Sequence, residues 1–180
     1  MARLNTIKYV TLSSAGNTAD FGDLTQSRDG IAGCGSSTRG LFGGGDLGAT
    51  RSNVIDYVTI ATTGNATNFG DLTQPRGNLA ACSNSARGVW AGSANYRDLI
   101  DYVSIASTGN ATDFGDLAVG VLWGAGCASD IRGVFGGTID SPTNTMQYIT
   151  FNTTGNASDF GDLTVGRYGL GSCSNGHGGL

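Results

Sequence analysis

Asp-Phe-Gly occurs at Asp20, Asp113 and Asp159, a triplet that holds magnesium in protein kinases. That chemistry needs a phosphate-binding lysine and a catalytic loop. Lys8 is the single lysine, and the second copy of the triplet has Asn68 in the acidic place. Gly43-x-Gly45-x-x-Gly48 has the spacing of a dinucleotide loop, which works only between a strand and a helix, and no helical pattern follows it. Cys34, Cys82, Cys127 and Cys173 could offer thiolates to a soft metal, but no Cys-x-x-Cys spacing occurs, and small packing residues explain them. His177, the only histidine, has no matched nucleophile and orienting acid and reads as a turn residue. Asp23, Asp71, Asp116 and Asp162 recur in step; carboxylates suit calcium, but capping of the turn after the Phe strand is the favoured account of them. Asn65, Asn110, Asn152 and Asn156 open glycosylation sequons that matter only in a secreted chain. No residue is assigned a catalytic, cofactor-binding or metal-binding role, so the expectation is a protein that is not an enzyme and carries no cofactor.

The elements that position these residues come from a repeat. Tyr9, Tyr57, Tyr102 and Tyr148 head one segment; Gly-Asn pairs follow at Gly16, Gly64, Gly109 and Gly155; Phe-Gly-Asp-Leu follows at Phe21, Phe69, Phe114 and Phe160; and the cysteines close the register. Each series steps by 48, 45 and 46 residues. Periods of this length mark units that bury their apolar faces only by stacking on neighbours. In the second unit the pattern predicts strands over 54–60, 66–72, 79–83 and 88–92. The first is apolar on both sides, as in a sheet packed between two layers. Gly64-Asn65 reads as a tight hairpin turn. One domain, 1–180, is expected, with repeats at about 5–52, 53–97, 98–143 and 144–180.

Composition agrees. Glycine makes up 31 of 180 residues, glutamate is absent, and strong helix formers are scarce. A net charge of −4 with no basic cluster argues against nucleic acid as a partner. No apolar run of membrane-spanning length and no signal peptide is read, and the free thiols suit a reducing cytosol.

Leu41-Phe42-Gly43-Gly44 and Val134-Phe135-Gly136-Gly137, with Val89-Trp90-Ala91-Gly92 weaker, are each followed by Tyr57, Tyr148 or Tyr102, then an aromatic and an arginine (Arg28, Arg76, Arg167; Val121 in the third unit). This order resembles the kelch family of β-propellers. The resemblance implies an all-β propeller of four-stranded blades, with the cysteine strand innermost. Predicted strands over 6–12 and 18–24 at one end and 170–174 and 178–180 at the other would share a blade or pair between subunits, so self-association, including a homodimer that completes a larger ring, is expected. The Thr-Gly-Asn-Ala-Thr-Asp-Phe-Gly-Asp-Leu-Thr wording is similar to virion structural and tail proteins of marine tailed phages. That similarity implies a virion component, made in the host cytoplasm, for assembly or adhesion to a host-surface glycan. The alternatives are a protein-interaction scaffold, an engineered or excised self-assembling fragment and, least favoured, a propeller-based enzyme. The variable loops and the connections between units should share one face, and Arg51, Tyr96, Arg97, Tyr168, Arg28, Arg76 and Arg167 are the candidate partner-binding residues there.

Overall fold

Short runs of β-branched and aromatic residues broken by glycine form fourteen strands, and no helix, among the described residues of the computed structural model, 3–95, 98–139 and 143–174. Strands β1 (Thr6–Tyr9) and β2 (Ala19–Asp23) make a two-stranded sheet. Three four-stranded antiparallel sheets follow in chain order. The second sheet holds β3 (Ala32–Gly35), β4 (Arg39–Gly43), β5 (Val54–Thr59) and β6 (Thr67–Asp71). The third holds β7 (Ala80–Ser83), β8 (Arg87–Ala91), β9 (Leu99–Ser104) and β10 (Thr112–Asp116). The fourth holds β11 (Ala125–Ala128), β12 (Arg132–Gly136), β13 (Thr145–Thr150) and β14 (Ser158–Asp162). Each four-stranded sheet takes its first two strands from one repeat and its last two from the next. The segment 170–174 forms no strand, and 178–180 lies outside the described residues.

The core lies between the sheets. Leu41, Ile55 and Phe69 of the second sheet pack with Trp90, Val103 and Ile105 of the third. The opposite face of the third sheet, with Val89, Ile100 and Phe114, packs on Phe135, Ile149 and Phe151 of the fourth. The third sheet therefore buries both faces, as its two-sided apolar pattern requires.

Phe-Gly-Asp has a backbone explanation. The outer pair of every sheet carries a bulge that leaves the phenylalanine out of register, so Gly70 pairs with Ile55 and Asn68 with Asp56, and Phe69 is skipped. The same slip occurs at Phe21, Phe114 and Phe160. The freed ring meets the repeat tyrosine edge-on, at 5.5 Å for Tyr102 and Phe114. The next glycine then takes a positive φ, 153° at Gly70, and an added Cβ there would lie 2.2 Å from the Gly109 carbonyl oxygen of the neighbouring sheet.

That approach makes a joint used three times. Gly64 N–H donates to Phe21 O at 2.7 Å, Ala66 N–H to Asp23 O at 2.8 Å, and Asp23 N–H to Asn65 Oδ1 at 3.0 Å. Gly109, Ala111 and Asn110 repeat the set on Phe69 and Asp71, and Gly155, Ala157 and Asn156 repeat it on Phe114 and Asp116. The Gly-Asn pair is thus an extended clamp between sheets. The expected hairpin turn sits earlier in the chain, where Thr62 N–H reaches Thr59 O.

A second joint is ionic. Arg28 Nη2 donates to Asp56 Oδ2 at 2.9 Å, and Arg76 Nη2 to Asp101 Oδ2 at 2.7 Å, with all four side chains buried. Burial pushes both guanidinium pKa values down, and the facing aspartate opposes that shift. Thr25 and Thr73 hydroxyls donate to the same carboxylates. At the third joint three residues differ together: Ala118, Val121 and Gln147 stand for Thr, Arg and Asp, and Gln147 Oε1 accepts from Ala118 N–H at 2.7 Å. Removing one member of a buried pair strands the other charge. Arg76→Val or Asp101→Gln alone should therefore cost about 3–5 kcal/mol in urea unfolding. Thr73→Ala, Arg76→Val and Asp101→Gln together should recover most of that loss, and additive losses would contradict this account of the joint.

Candidate functional site

The loops that follow β4, β8 and β12 lie beside the connections that enter β3, β7 and β11. Asp46 N–H donates to Asp29 O at 2.7 Å, Gly45 N–H to Arg76 O at 2.7 Å, and Ser93 N–H to Val121 O at 3.1 Å. The two loop sets share one face, as their alternation along antiparallel strands predicts.

At the middle of that face the sheets converge. Gly30, Asn78, Trp123 and Gly169 each stand four residues before a repeat cysteine, and all four are left-handed, with φ of 59°, 60°, 59° and 66°. Their backbones form a staircase: Asn78 N–H donates to Gly30 O at 2.7 Å, Trp123 N–H to Asn78 O at 3.3 Å, and Gly169 N–H to Trp123 O at 2.8 Å. The staircase rims a funnel of about 660 Å³ whose apolar wall includes Ile31, Leu79, Trp123 and Leu170, with Asp29 and Asp46 at its edge. Glycine and asparagine accept a left-handed backbone readily, whereas tryptophan pays for it in steric strain. Trp123 is nevertheless 51% exposed.

Asp46 joins the funnel to a second groove of about 570 Å³, lined by Thr50, Arg51, Pro75 and Asn95. Its carboxylate accepts from Arg51 Nε at 3.0 Å and from Asn78 Nδ2 at 3.2 Å. Arg3 Nε donates to the Asp46 backbone oxygen at 3.0 Å and lies 3.5 Å from Asp29 Oδ2.

The candidate residues separate accordingly. Arg51 lines the groove, and Tyr168, 51% exposed, adjoins Gly169 at the funnel rim. Arg167 precedes Tyr168 in the chain, its Nε donating to Val165 O at 3.3 Å. Arg28 and Arg76 are buried in the ionic joints, with no exposed side-chain surface to offer a partner. Tyr96 and Arg97 lie outside the described residues, as does His177. Trp123 escaped the sequence reading, although the repeat holds the signal: a bulky ring occupies a position that is Gly, Asn and Gly in the other units.

Among the described residues no three His, Cys or acidic side chains come together to hold a metal. Cys34 and Cys82 are packing residues: an added Cβ at Gly88 would lie 2.9 Å from Cys34 Sγ, and one at Gly133 only 2.5 Å from Cys82 Sγ. Burial pushes the Cys34 thiol up to about 12 and the Cys82 thiol well above its usual range, with Cys34 and Cys127 adding to the latter. Compared with known proteins, the chain matches no family model, and no curated protein is significantly similar to it.

A raised thiol pKa in the folded state gives stability that is intact below the unfolded thiol's value and lost as pH climbs toward the folded one. Unfolding free energy should fall between about pH 9 and 12 for Cys34. At pH 8 iodoacetamide should alkylate exposed Cys173 first and buried Cys82 last. Equal rates by mass spectrometry would refute the packing assignment.

Proposed function

We propose that the chain is a non-enzymatic β-propeller-type module, its sheets acting as blades, that binds a glycan at the mouth of the funnel. The observation that carries this reading is Trp123, a strained and half-exposed aromatic on an apolar wall beside two carboxylates and an amide. Backbone strain in a bulky residue persists where the surroundings impose it, and such positions concentrate at ligand sites. A flat aromatic face suits the C–H face of a pyranose, while Asp29, Asp46 and Asn78 suit its hydroxyl groups. Small-ligand sites of this kind combine an apolar wall with a few placed polar groups.

The likeness of the repeat wording to phage virion and tail proteins supports a virion setting, with adhesion to a host-surface glycan or virion assembly as the task. The kelch-like order of Gly-Gly, Tyr, aromatic and Arg supports the propeller reading of the sheets. A second reading, a protein-interaction scaffold of the same fold, is favoured by the separate groove at Arg51, which suits an extended peptide.

Trp123→Asn places at this position the residue type that Asn78 already supplies at φ 60°. The variant should fold, match or exceed the parent in thermal stability by relief of about 1–2 kcal/mol of strain, and lose glycan binding at least tenfold on an array. Unchanged binding would exclude the funnel, and a parent chain that binds no glycan would leave the scaffold reading.

A further inference from the structure

The two ends of the sheet series carry the unmatched halves of the joint that the interior uses three times. At one end, Leu12 is 96% exposed. Its repeat counterparts Ile60, Ile105 and Phe151 are 48%, 2% and 0% exposed, the last two packed against the preceding sheet. At the other end, Phe160 is 49% exposed, whereas Phe69 and Phe114 are both 3% exposed. Gly161 meets nothing within 4 Å, although Gly22, Gly70 and Gly115 each face a neighbouring carbonyl at 2.2–2.5 Å.

The arginines add a third mark. Arg39 stacks on Tyr57 and donates to Ile105 O of the next sheet at 2.7 Å, and Arg87 stacks on Tyr102 and donates to Phe151 O. Arg132 stacks on Tyr148 in the same way and is exposed at the open end, where the residue next in the series is Leu12.

We infer that a second copy of this chain docks head to tail on these ends, its Gly16-Asn17 clamp closing on the Phe160–Asp162 edge. The register follows from the interior joints. Gly16 N–H donates to Phe160 O, Thr18 N–H to Asp162 O, Asp162 N–H to Asn17 Oδ1, and Arg132 reaches Leu12 O. The occupant is another copy because, among the described residues, the segment at Gly16-Asn17 and the Phe160–Asp162 edge do not meet each other, and because the missing partner on each side is a surface this same sequence presents on the other. The inference rests on reading the sheets as blades, and it does not depend on glycan binding. Two copies supply eight repeats, and a two-fold ring satisfies both ends of both chains.

This joint differs from the interior ones in its charge. Arg167 occupies the place of Arg28 and Arg76, but the residue it meets in the series is Lys8, where the interior has Asp56 and Asp101. Two cations face each other, so the association is weaker than the interior joints and reversible.

Light scattering across a concentration series should give a mass rising to about twice the 18.3 kDa chain. Lys8→Asp should tighten the dimer at least tenfold, and Asn17→Ala should weaken it severalfold with the monomer's thermal stability unchanged. A mass that stays at one chain for both the parent and Lys8→Asp overturns the inference. So does an Asn17→Ala dimer as tight as the parent's. Glycan binding measured on the same samples is expected to survive in the Asn17→Ala monomer, so loss of dimerisation and loss of the ligand site remain separate results.

Discussion

A sheet of four short strands has two apolar faces and no means of covering either alone, so the joint between successive sheets is the interaction on which the fold depends. Its chemistry is mostly backbone. Two N–H groups and one asparagine amide oxygen bridge each pair of outer strands, and the glycine of Phe-Gly-Asp lets the neighbouring carbonyl approach to a distance no side chain would permit. The bulge before that glycine turns the phenylalanine toward the tyrosine and the core. Gly-Asn, Phe-Gly-Asp and Tyr are therefore parts of one device, which explains why they persist unchanged through four units while the loops between them vary.

The repeat and the two-sided strands were legible in the sequence because both are patterns of residue type at fixed spacing. The joints were less so, since they form between residues far apart in the chain. Gly-Asn looks like a hairpin turn because local propensity is the same for a turn and for an extended clamp that needs a close approach. Arg28 and Arg76 fall in connecting segments and read as surface residues, yet each side chain reaches a carboxylate on the next sheet. The signal for that pairing was present: the unit with Val121 in place of arginine is also the one followed by Gln147 in place of aspartate. Trp123 needed the backbone angle to become visible, because an exposed tryptophan means little until it occupies a left-handed position.

The funnel follows from the same geometry. Residues four before each cysteine are brought together because β3, β7 and β11 each begin two residues before their cysteine, and the left-handed turn ahead of them lets one backbone hand its carbonyl to the next. Three of the four positions carry glycine or asparagine, which accept the left-handed backbone readily. The fourth carries an indole that the scaffold does not need, on the face where the variable loops gather. A staircase with one irregular step separates what holds the sheets from the surface proposed to meet a ligand.

The joints also form a series in strength. The first two carry a buried ion pair, and the third replaces it with a neutral amide that satisfies the same space. Buried pairs of this kind contribute less to net stability than to register, since a mispaired neighbour leaves a charge without a partner in a dry interface. Applied along the chain, that rule fixes which sheet follows which. Arg28 demands an acid one sheet on, Val121 accepts only a neutral neighbour, and Arg167 at the open edge demands an acid that the chain's own first strand, with Lys8, does not supply. The sequence thus makes its interior joints obligatory, while the joint proposed between copies would be held by backbone clamps and apolar contact and opposed by charge. A joint so built closes and reopens, whereas the interior ones come apart only when the fold does.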